Sequence, residues 1–395
     1  MNIRFMVKTS QFNGFHLKDD IVLEKEYYES DFENVDNAKY YIYRLETNER
    51  DEIMPLSNKI ELFTVVNCVY RSDYIYFIEY EQIDEKFSNF YLVKYNYVTN
   101  NSKRIYGFKD SIKNYVNGRK QIKIFALNDD NILVQIGLPK RTLSGEFIGL
   151  HEYKLYLYNY KERTQIEVVD ENLVSTGIDT MISYDENMCV LKTGFTLFAN
   201  PNFQKLDRSE VSIEGVSIVN VSQLISEIML KKTNIVLNTI DQTYFTKTIP
   251  YALVNSSYLI YSKINNDTND ETVTFYNLRT KKARTCINRN VRGYNDLTQP
   301  SVIGGVPYIK IARKNATQFL NLNKNKIDIE FESSKKIEAI TEDIIIVSEP
   351  KKSLIGNKNI MNIFRYPAMS VLHTEKANYK DCIYADDGTL YIFVS

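Results

Sequence analysis

Tryptophan is absent from this 395-residue chain, and histidine, cysteine, proline and glycine are scarce, with 3, 4, 8 and 14 residues respectively. With so little glycine and proline, most turns must be made by Asn, Asp, Ser and Lys. Asn and Asp can do this because they tolerate left-handed backbone angles and hydrogen-bond their own main chain. The absence of tryptophan disfavours the usual sugar-stacking platforms, although tyrosine can substitute for it.

The four cysteines, Cys68, Cys189, Cys286 and Cys382, are far apart in sequence, and each lies in an apolar run. No pair has the spacing of a metal or redox site, so we expect four small buried hydrophobes. The sequence also lacks a His-x-x-x-His motif, an Asp-rich calcium loop and a phosphate-cradling Gly-x-x-x-x-Gly-Lys loop. We therefore expect no metal and no cofactor.

The charges nearly cancel, with 49 basic and 50 acidic residues and a formal net charge of −1. A general nucleic-acid binder normally has a basic excess, so that class is disfavoured. The first eight residues lack the apolar segment of a signal peptide, and no run approaches the roughly 18 apolar residues of a membrane span. We expect a cytoplasmic protein with reduced thiols and no membrane contact; the alternative is a chain whose leader has been removed.

Tyrosine and phenylalanine are abundant, with 30 and 20 residues, and hydrophobic residues make up 44% of the chain. Aromatic and β-branched residues suit a pleated, half-buried surface, so this composition favours strands. A hairpin pattern is clearest in Phe125–Ile136, where an apolar run stops at Asn-Asp-Asp-Asn and restarts as an alternating run. This pattern predicts two antiparallel strands joined by a polar turn.

The hairpin pattern recurs about eight times along the chain. The other copies are Phe15–Tyr27, Cys68–Ile78, Ile182–Leu191, Leu253–Tyr261, Val302–Ile311, Ile337–Val347 and Cys382–Val394. A second, aromatic-rich hairpin follows most of them. Its clearest copy is Tyr91–Tyr97 with Lys103–Tyr106, and a weaker one is Ile235–Thr239 with Phe245–Ile249. Together the two hairpins predict a four-stranded antiparallel unit.

Self-similarity at roughly 40 to 60 residues in an all-β chain is typical of a β-propeller, and the whole chain resembles that architecture. The repeats lack the signatures of the WD40 and kelch families, so the resemblance names no particular family. It implies a single domain spanning residues 1–395 with eight four-stranded blades, or seven if residues 1–38 form an appendage. A pair of β-sandwiches is the competing fold.

The final hairpin needs a further strand, because a half-made blade exposes a sheet edge. The opening residues supply one orphan strand, so we predict that Ile3, Phe5 and Val7 pair beside Leu390–Val394 and close the propeller.

One segment, within residues 210–232, interrupts the strands. Val221, Leu224, Ile225, Ile228 and Met229 follow helical spacing in Asn220–Lys232. Asn220 can cap this helix, and Gln223 completes a capping-box pattern. We predict an inserted helix that packs on its own blade; the alternative is a docking element.

Two sets of turn and loop residues are candidates for a site. The turns of the first hairpins carry carboxylates that could surround one mouth of the propeller: Asp19, Asp20, Asp129, Asp130, Asp185, Asp386 and Asp387. Such a group could hold a cation or attract a basic partner, although Asp is also the expected turn residue at these places.

The longer connections emerge on the opposite face, where a rigid scaffold supports variable loops. Their basic and aromatic residues could bind an anionic small ligand or an acidic peptide: Lys140, Arg141, Arg289, Arg292, Tyr294, Lys351 and Lys352. Acidic connections interrupt this face, so a solvated rim of mixed charge is the alternative.

The leading functional hypothesis is a non-catalytic binding scaffold whose loop-rich face recognises a protein or peptide. The alternative is a propeller enzyme acting on glycans, a hydrolase or lyase with pocket carboxylates such as Asp296, Asp19 or Asp386. A third hypothesis is an assembly subunit that docks through the 220–232 helix.

Overall fold

We describe the protein from a computed structural model. It describes residues 1–8, 12, 14–27, 38–54, 60–65, 69, 71–84, 86–110, 121–141, 147–194, 214–243, 249–254, 257–264, 270–288, 298–350 and 359–395. These residues form two compact units: one contains Met1–Glu24, Tyr43–Arg50 and Ile249–Ser395, and the other contains Lys25–Ile42 and Asp51–Thr248. The strands of the two units make up eight sheets.

Seven sheets have four strands in chain order, which we call the first to fourth strands of a blade. Blade one contains β2 Gly14–Lys18, β3 Ile21–Tyr27, β4 Ala38–Arg44 and β5 Glu49–Glu52. Blade two contains β6 Ile60–Val65, β7 Tyr74–Gln82, β8 Ser88–Asn96 and β9 Asn101–Asp110. Blade three contains β10 Gln121–Ala126, β11 Asn131–Arg141, β12 Phe147–Asn159 and β13 Thr164–Glu167.

Blades four and five contain β14 Ile178–Asp185, β15 Met188–Thr193, β16 Glu214–Asn220 and β17 Asn238–Thr243; β18 Ile249–Val254, β19 Tyr258–Ile264, β20 Glu271–Asn277 and β21 Lys282–Asn288. Blades six and seven contain β22 Thr298–Ile303, β23 Val306–Ala312, β24 Ala316–Asn321 and β25 Lys326–Glu332; β26 Lys336–Thr341, β27 Ile344–Glu349, β28 Ile360–Arg365 and β29 Ser370–Lys376.

The eighth sheet joins the two ends of the chain. It has three strands in the described residues, in the order β30 Tyr379–Tyr384, β31 Leu390–Val394 and β1 Ile3–Val7. The strand β1 runs parallel to β31, with Ile3 opposite Leu390 and Val7 opposite Val394. The fold is an eight-bladed β-propeller, and the predicted pairing of the N-terminal strand with the C-terminal hairpin is confirmed.

The hairpin in Phe125–Ile136 has the predicted form. In β10 and β11, Phe125 lies opposite Leu133, and Ala126 lies opposite Ile132. The turn is held by Asn128, whose Oδ1 accepts the backbone N–H groups of Asp130 and Asn131 at 3.0 and 2.9 Å. A short polar side chain thus holds this turn by hydrogen-bonding to the backbone, and the turn needs no glycine.

One predicted hairpin was wrong. The residues paired as Ile235–Thr239 with Phe245–Ile249 do not form one hairpin, because β17 covers Asn238–Thr243 and Ile249 begins the next blade. The third strand of blade four is instead β16, which precedes the inserted helix. The apolar alternation in this region was too weak to distinguish a blade's last strand from the next blade's first.

The inserted helix lies between β16 and β17 and spans Val221–Met229. Asn220 caps it as predicted, with its Oδ1 accepting the Gln223 N–H at 2.8 Å. Val221, Leu224 and Ile228 are buried in a cluster with side chains from blades three and four. Most of the apolar stripe of the helix is therefore covered by its own unit, whereas Met229 at its C-terminal end is exposed.

A second, shorter helix, Glu171–Thr176, joins blades three and four. Asp170 caps it by accepting the Leu173 N–H at 2.8 Å, and Gly177 follows it with φ of 70°. An N-cap Asp and a terminal Gly are the ordinary signals of a helix, so this element could have been found in the sequence. No helix in the described ranges has the length and hydropathy needed to cross a bilayer.

Candidate functional site

The basic residues proposed for ligand binding fall mostly in the undescribed ranges. Arg289, Arg292, Tyr294, Lys351 and Lys352 lie outside the described residues. Lys140 and Arg141 are the last two residues of β11, and their side chains are likewise not described. Ligand binding by these seven residues stays a prediction.

Two of the predicted turn residues, Asp19 and Asp386, come together through their backbones and the Asp386 carboxylate. The N–H of Asp19 donates to Oδ2 of Asp386 at 2.9 Å, and the N–H of Asp386 donates to the Asp19 carbonyl at 3.3 Å. Asp19 has φ of 53°, a left-handed angle that Asp tolerates. These bonds join a turn of blade one to a turn of blade eight. Asp296, proposed with them as a catalytic carboxylate, lies outside the described residues.

The other turn carboxylates make separate contacts. Asp20 accepts the Glu46 N–H at 2.8 Å, and Asp129 accepts the Ser72 hydroxyl at 2.9 Å. Asp130 is 3.7 Å from the ammonium of Lys161. Each contact braces a turn.

Asp387 and Asp185 complete the set. Asp387 accepts both the N–H and the hydroxyl of Thr389, which lowers the pKa of Asp387. Asp185 is exposed at the end of β14. Among the described residues, no three or more His, Cys, Asp and Glu side chains are grouped to hold a metal ion.

A polar residue in the second strand of each four-stranded blade, buried in six of the seven, was not recognised in the sequence. In five blades it is the fifth residue of the strand: Gln135, Lys192, Ser262, Lys310 and Ser348. Glu24 and Glu79 occupy nearby places in blades one and two. All except Lys310 are buried. A polar residue closing a run of apolar residues, as in Ile132-Leu133-Val134-Gln135, was the available signal.

The most connected part of this layer joins blades three and four. Gln135 Nε2 donates to the Ile178 carbonyl at 2.9 Å, and the Ile178 N–H donates to Gln135 Oε1 at 2.6 Å. Beside this pair, Lys123 Nζ donates to Asp179 Oδ1 at 2.9 Å, and Lys192 Nζ donates to Asp179 Oδ2 at 3.0 Å. Both carboxylate oxygens of Asp179 are thus held by ammonium groups.

The backbone explains why Asp179 reaches both lysines. The register between β14 and β15 shifts between Ile178 and Thr180, which makes Asp179 the extra residue of a bulge. A bulge re-aims a side chain that a regular strand would direct elsewhere. Burial would raise the pKa of Asp179, but Lys123 and Lys192 outweigh it, so this pKa is lowered. Asp179 is therefore ionised at neutral pH.

A second charged group, also within this unit, surrounds Lys94 of β8. Its Nζ donates to the Asp129 carbonyl at 2.6 Å and to the Tyr160 hydroxyl at 2.7 Å. It also lies 3.8 Å from the centroid of the Tyr74 ring, a cation–π distance. Burial lowers the pKa of Lys94, and Asp129 opposes this effect. The Lys94 ammonium is thus enclosed by side chains and backbone of blades two and three.

The Tyr76 hydroxyl is near this group and is fully buried, and no partner for it exists among the described residues. Its pKa is raised, first by burial and then by Asp129. A buried hydroxyl without a hydrogen bond costs free energy, so Tyr76 marks a weak point of the packing.

The glutamates of the same layer are also neutralised. Glu24 contacts the ammonium of Lys8 and accepts from Arg50 Nε at 2.9 Å. Glu79, which is fully buried, lies 3.4 Å from Arg104 Nε. These pairs satisfy the requirement that a buried charge be compensated.

No protein-family model and no curated protein sequence matches this chain. Similar solved structures include dipeptidyl peptidase 4 from Porphyromonas gingivalis, at 10% identity and a TM-score of 0.47. The match covers 94% of this chain and 55% of the peptidase chain. Another is an oligogalacturonate lyase in complex with manganese, at 11% identity, 90% of each chain and a TM-score of 0.45. The chain thus spans about half the length of the peptidase. These likenesses are too weak to carry a functional argument.

Proposed function

We propose that this chain is a non-catalytic binding scaffold whose long connections recognise a protein or peptide partner. The observation that supports it best is the state of Asp179. Both of its oxygens accept hydrogen bonds from ammonium groups and its pKa is lowered, so Asp179 is a poor general acid. Lys94, Glu24 and Glu79 are similarly engaged. The buried ionic groups thus stabilise the fold, which leaves recognition to the surface.

The basic connections are the proposed contact surface. A loop variant would reverse four charges, in K140E, R141E, K351E and K352E. A matched control would reverse four exposed charges elsewhere, in K103E, R279E, K314E and K326E. Both variants change the net charge equally, so a difference between them reports position rather than total charge.

The experiment is affinity capture from the source cell with the wild-type chain and both variants, followed by calorimetric titration with the purified partner. We expect the loop variant to lose the captured partner and the control to keep it. Equal capture by all three, or equal loss in both variants, would refute recognition by this surface. Turnover of a captured molecule would overturn the non-catalytic assignment.

A further inference from the structure

In the described part of the chain, the eighth blade ends on a strand that no further strand covers. In the other seven blades the third strand is paired on its far side with a fourth strand, whereas β1, third in its sheet, has no such partner among the described residues. Its near side is fully engaged by β31. The fourth strand position of this blade is therefore not filled by any of the strands that the structure describes.

The register shows which backbone groups face the open side. The Leu390 N–H donates to the Asn2 carbonyl, and the Lys8 N–H donates to the Val394 carbonyl, both at 2.9 Å. In a parallel ladder only alternate residues bond to a given neighbour, so the even-numbered residues of β1 face β31. The N–H and C=O groups of Ile3, Phe5 and Val7 therefore point away from the sheet.

The side chains hold this edge in place on both faces. Ile3 and Phe5 pack against a buried cluster from blades seven and eight, and the Phe5 ring lies 5.1 Å from the His373 ring of β29. On the other face, Met6 packs in a cluster with Val22 and Tyr43. The edge is thus presented on a supported strand rather than on a loose terminus.

The sequence of β1 is that of a covered strand. Natural proteins protect sheet edges with charged residues, proline or bulges. The fourth strands of the other blades follow this rule, as in Glu49–Glu52 (ERDE) and Lys326–Glu332 (KIDIEFE). In contrast, β1 reads Ile-Arg-Phe-Met-Val, and its register with β31 is unbroken. Its charged residue is also engaged, because Arg4 lies 3.5 Å from Glu46.

We propose that β1 accepts an extended segment of a partner protein as the fourth strand of the eighth blade. This proposal rests on the binding-scaffold function and names the kind of partner. Strand addition of this type gains affinity from main-chain hydrogen bonds and specificity from alternate side chains. A fitting segment resembles β25, with apolar residues alternating with charged ones, because β25 fills the same position in blade six.

A second copy of the chain is a poorer occupant. Two five-residue edges that pair with each other bury far less than the roughly 1,200 Å² of a stable interface between folded proteins. An extended peptide needs only the edge itself and the adjoining side chains. Val7, whose side chain is 84% exposed, lies beside the open position and offers an apolar contact.

The probe is a synthetic peptide that contains the Lys326–Glu332 sequence, KIDIEFE, with a scrambled peptide as its control. Peptides selected from a random displayed library against the full chain form a second probe set. Binding would be measured by fluorescence polarisation, and amide hydrogen exchange would locate it. We expect protection of the Ile3, Phe5 and Val7 amides on binding of the unscrambled or selected peptides.

The decisive variant is Val7→Pro, which removes one outward N–H group and leaves the bonds to β31 intact. Its matched control is Val7→Thr, which keeps that N–H group. We expect V7P to weaken peptide binding at least tenfold, V7T to weaken it less than twofold, and both proteins to keep the wild-type melting temperature. If V7P unfolds the eighth blade, the proposal is tested by hydrogen exchange on the wild-type chain, through protection of the Ile3, Phe5 and Val7 amides.

Several outcomes would overturn the edge proposal. They are the absence of any binding peptide, protection elsewhere than β1, equal losses in V7P and V7T, or concentration-dependent dimerisation that V7P abolishes. If V7P leaves binding intact and the loop variant abolishes it, strand addition at β1 is refuted and the binding-scaffold function is retained. If both V7P and the loop variant keep the captured partner, strand addition at β1 and the binding-scaffold function are both refuted.

Discussion

Blades four and eight each carry a carboxylate in their first strand, beside a register shift, and the two carboxylates are in opposite electrostatic states. Asp179 of blade four lies between two ammonium groups, and its pKa is lowered. Asp381 of blade eight accepts only the Cys382 N–H at 2.8 Å, and no cation of the described chain pairs with it. Burial raises the pKa of Asp381, and that hydrogen bond opposes the rise only in part.

The comparison separates the effect of burial on a carboxylate pKa from the effect of neighbouring cations. Both carboxylates are partly removed from water, which disfavours ionisation in each case. Only the partners differ, and they reverse the sign of the shift. A buried carboxylate in this fold is therefore not a sign of a reactive group until its neighbours are known.

The largest expected effect on stability compares a glycine beside blade four, Gly177, with a glycine of blade eight, Gly388. An added Cβ at Gly177, where φ is 70°, would lie 2.7 Å from the Tyr153 ring, whereas at Gly388, where φ is 81°, the nearest atom is 3.8 Å away. Gly177→Ala should cost about 3 kcal/mol from backbone strain and overlap, and Gly388→Ala about 1 kcal/mol from strain alone. Urea denaturation of both variants measures the difference. Equal costs would show that the packing of blade four yields freely.

The second prediction removes the charge of Asp179. Asp179→Asn leaves Lys123 and Lys192 without their carboxylate and should cost about 2 kcal/mol at pH 7. Because the folded-state pKa of Asp179 is lowered, its stabilising effect is present above the unfolded pKa of about 4 and is lost as the pH falls through the folded value. The gap between wild type and variant should therefore narrow below pH 4 in denaturation series.

The double variant D179N/K192M is the control for that prediction. It removes the unpaired buried ammonium of Lys192, so it should recover part of the lost stability. A double variant as unstable as the sum of its single changes would indicate that the two groups do not interact.

The smallest prediction concerns Asp381. Because its folded-state pKa is raised, ionisation of Asp381 opposes folding as the pH rises through that value. Asp381→Asn should therefore stabilise the protein by about 0.5 kcal/mol at pH 7, a small figure because the group is partly exposed and screened by solvent. The gain should vanish below pH 3. A destabilised variant at pH 7 would reveal a cation beside Asp381.

The fold was readable from the sequence where the pattern was local. Turn residues and alternating strands placed the Phe125–Ile136 hairpin, and capping by Asn220 placed the inserted helix. The pairing of β1 with β31 came from counting strands, a global constraint. The strands of blade four were misplaced because the helix separates them, so adjacency in sequence no longer indicated pairing in space.

The candidate site was much less predictable. A lysine ending an apolar strand, as Lys192 does, gives no sign of which carboxylate it meets, and the bulge that aims Asp179 has no sequence signature. The turn carboxylates were easy to find because turns favour Asp for its backbone geometry. That same preference is why their presence alone indicated little about function.

The pairing of β1 with β31 also sets an order of events in time. Ile3 lies opposite Leu390, so two segments far apart in sequence must meet before β1 is paired, whereas β31 can first pair with β30. Contacts so distant in sequence form late, because the entropy of closing the loop is lost before the contact repays it. During synthesis β1 cannot form this pairing until β31 has left the ribosome. The strand β1 is thus synthesised well before β31, the strand with which it pairs.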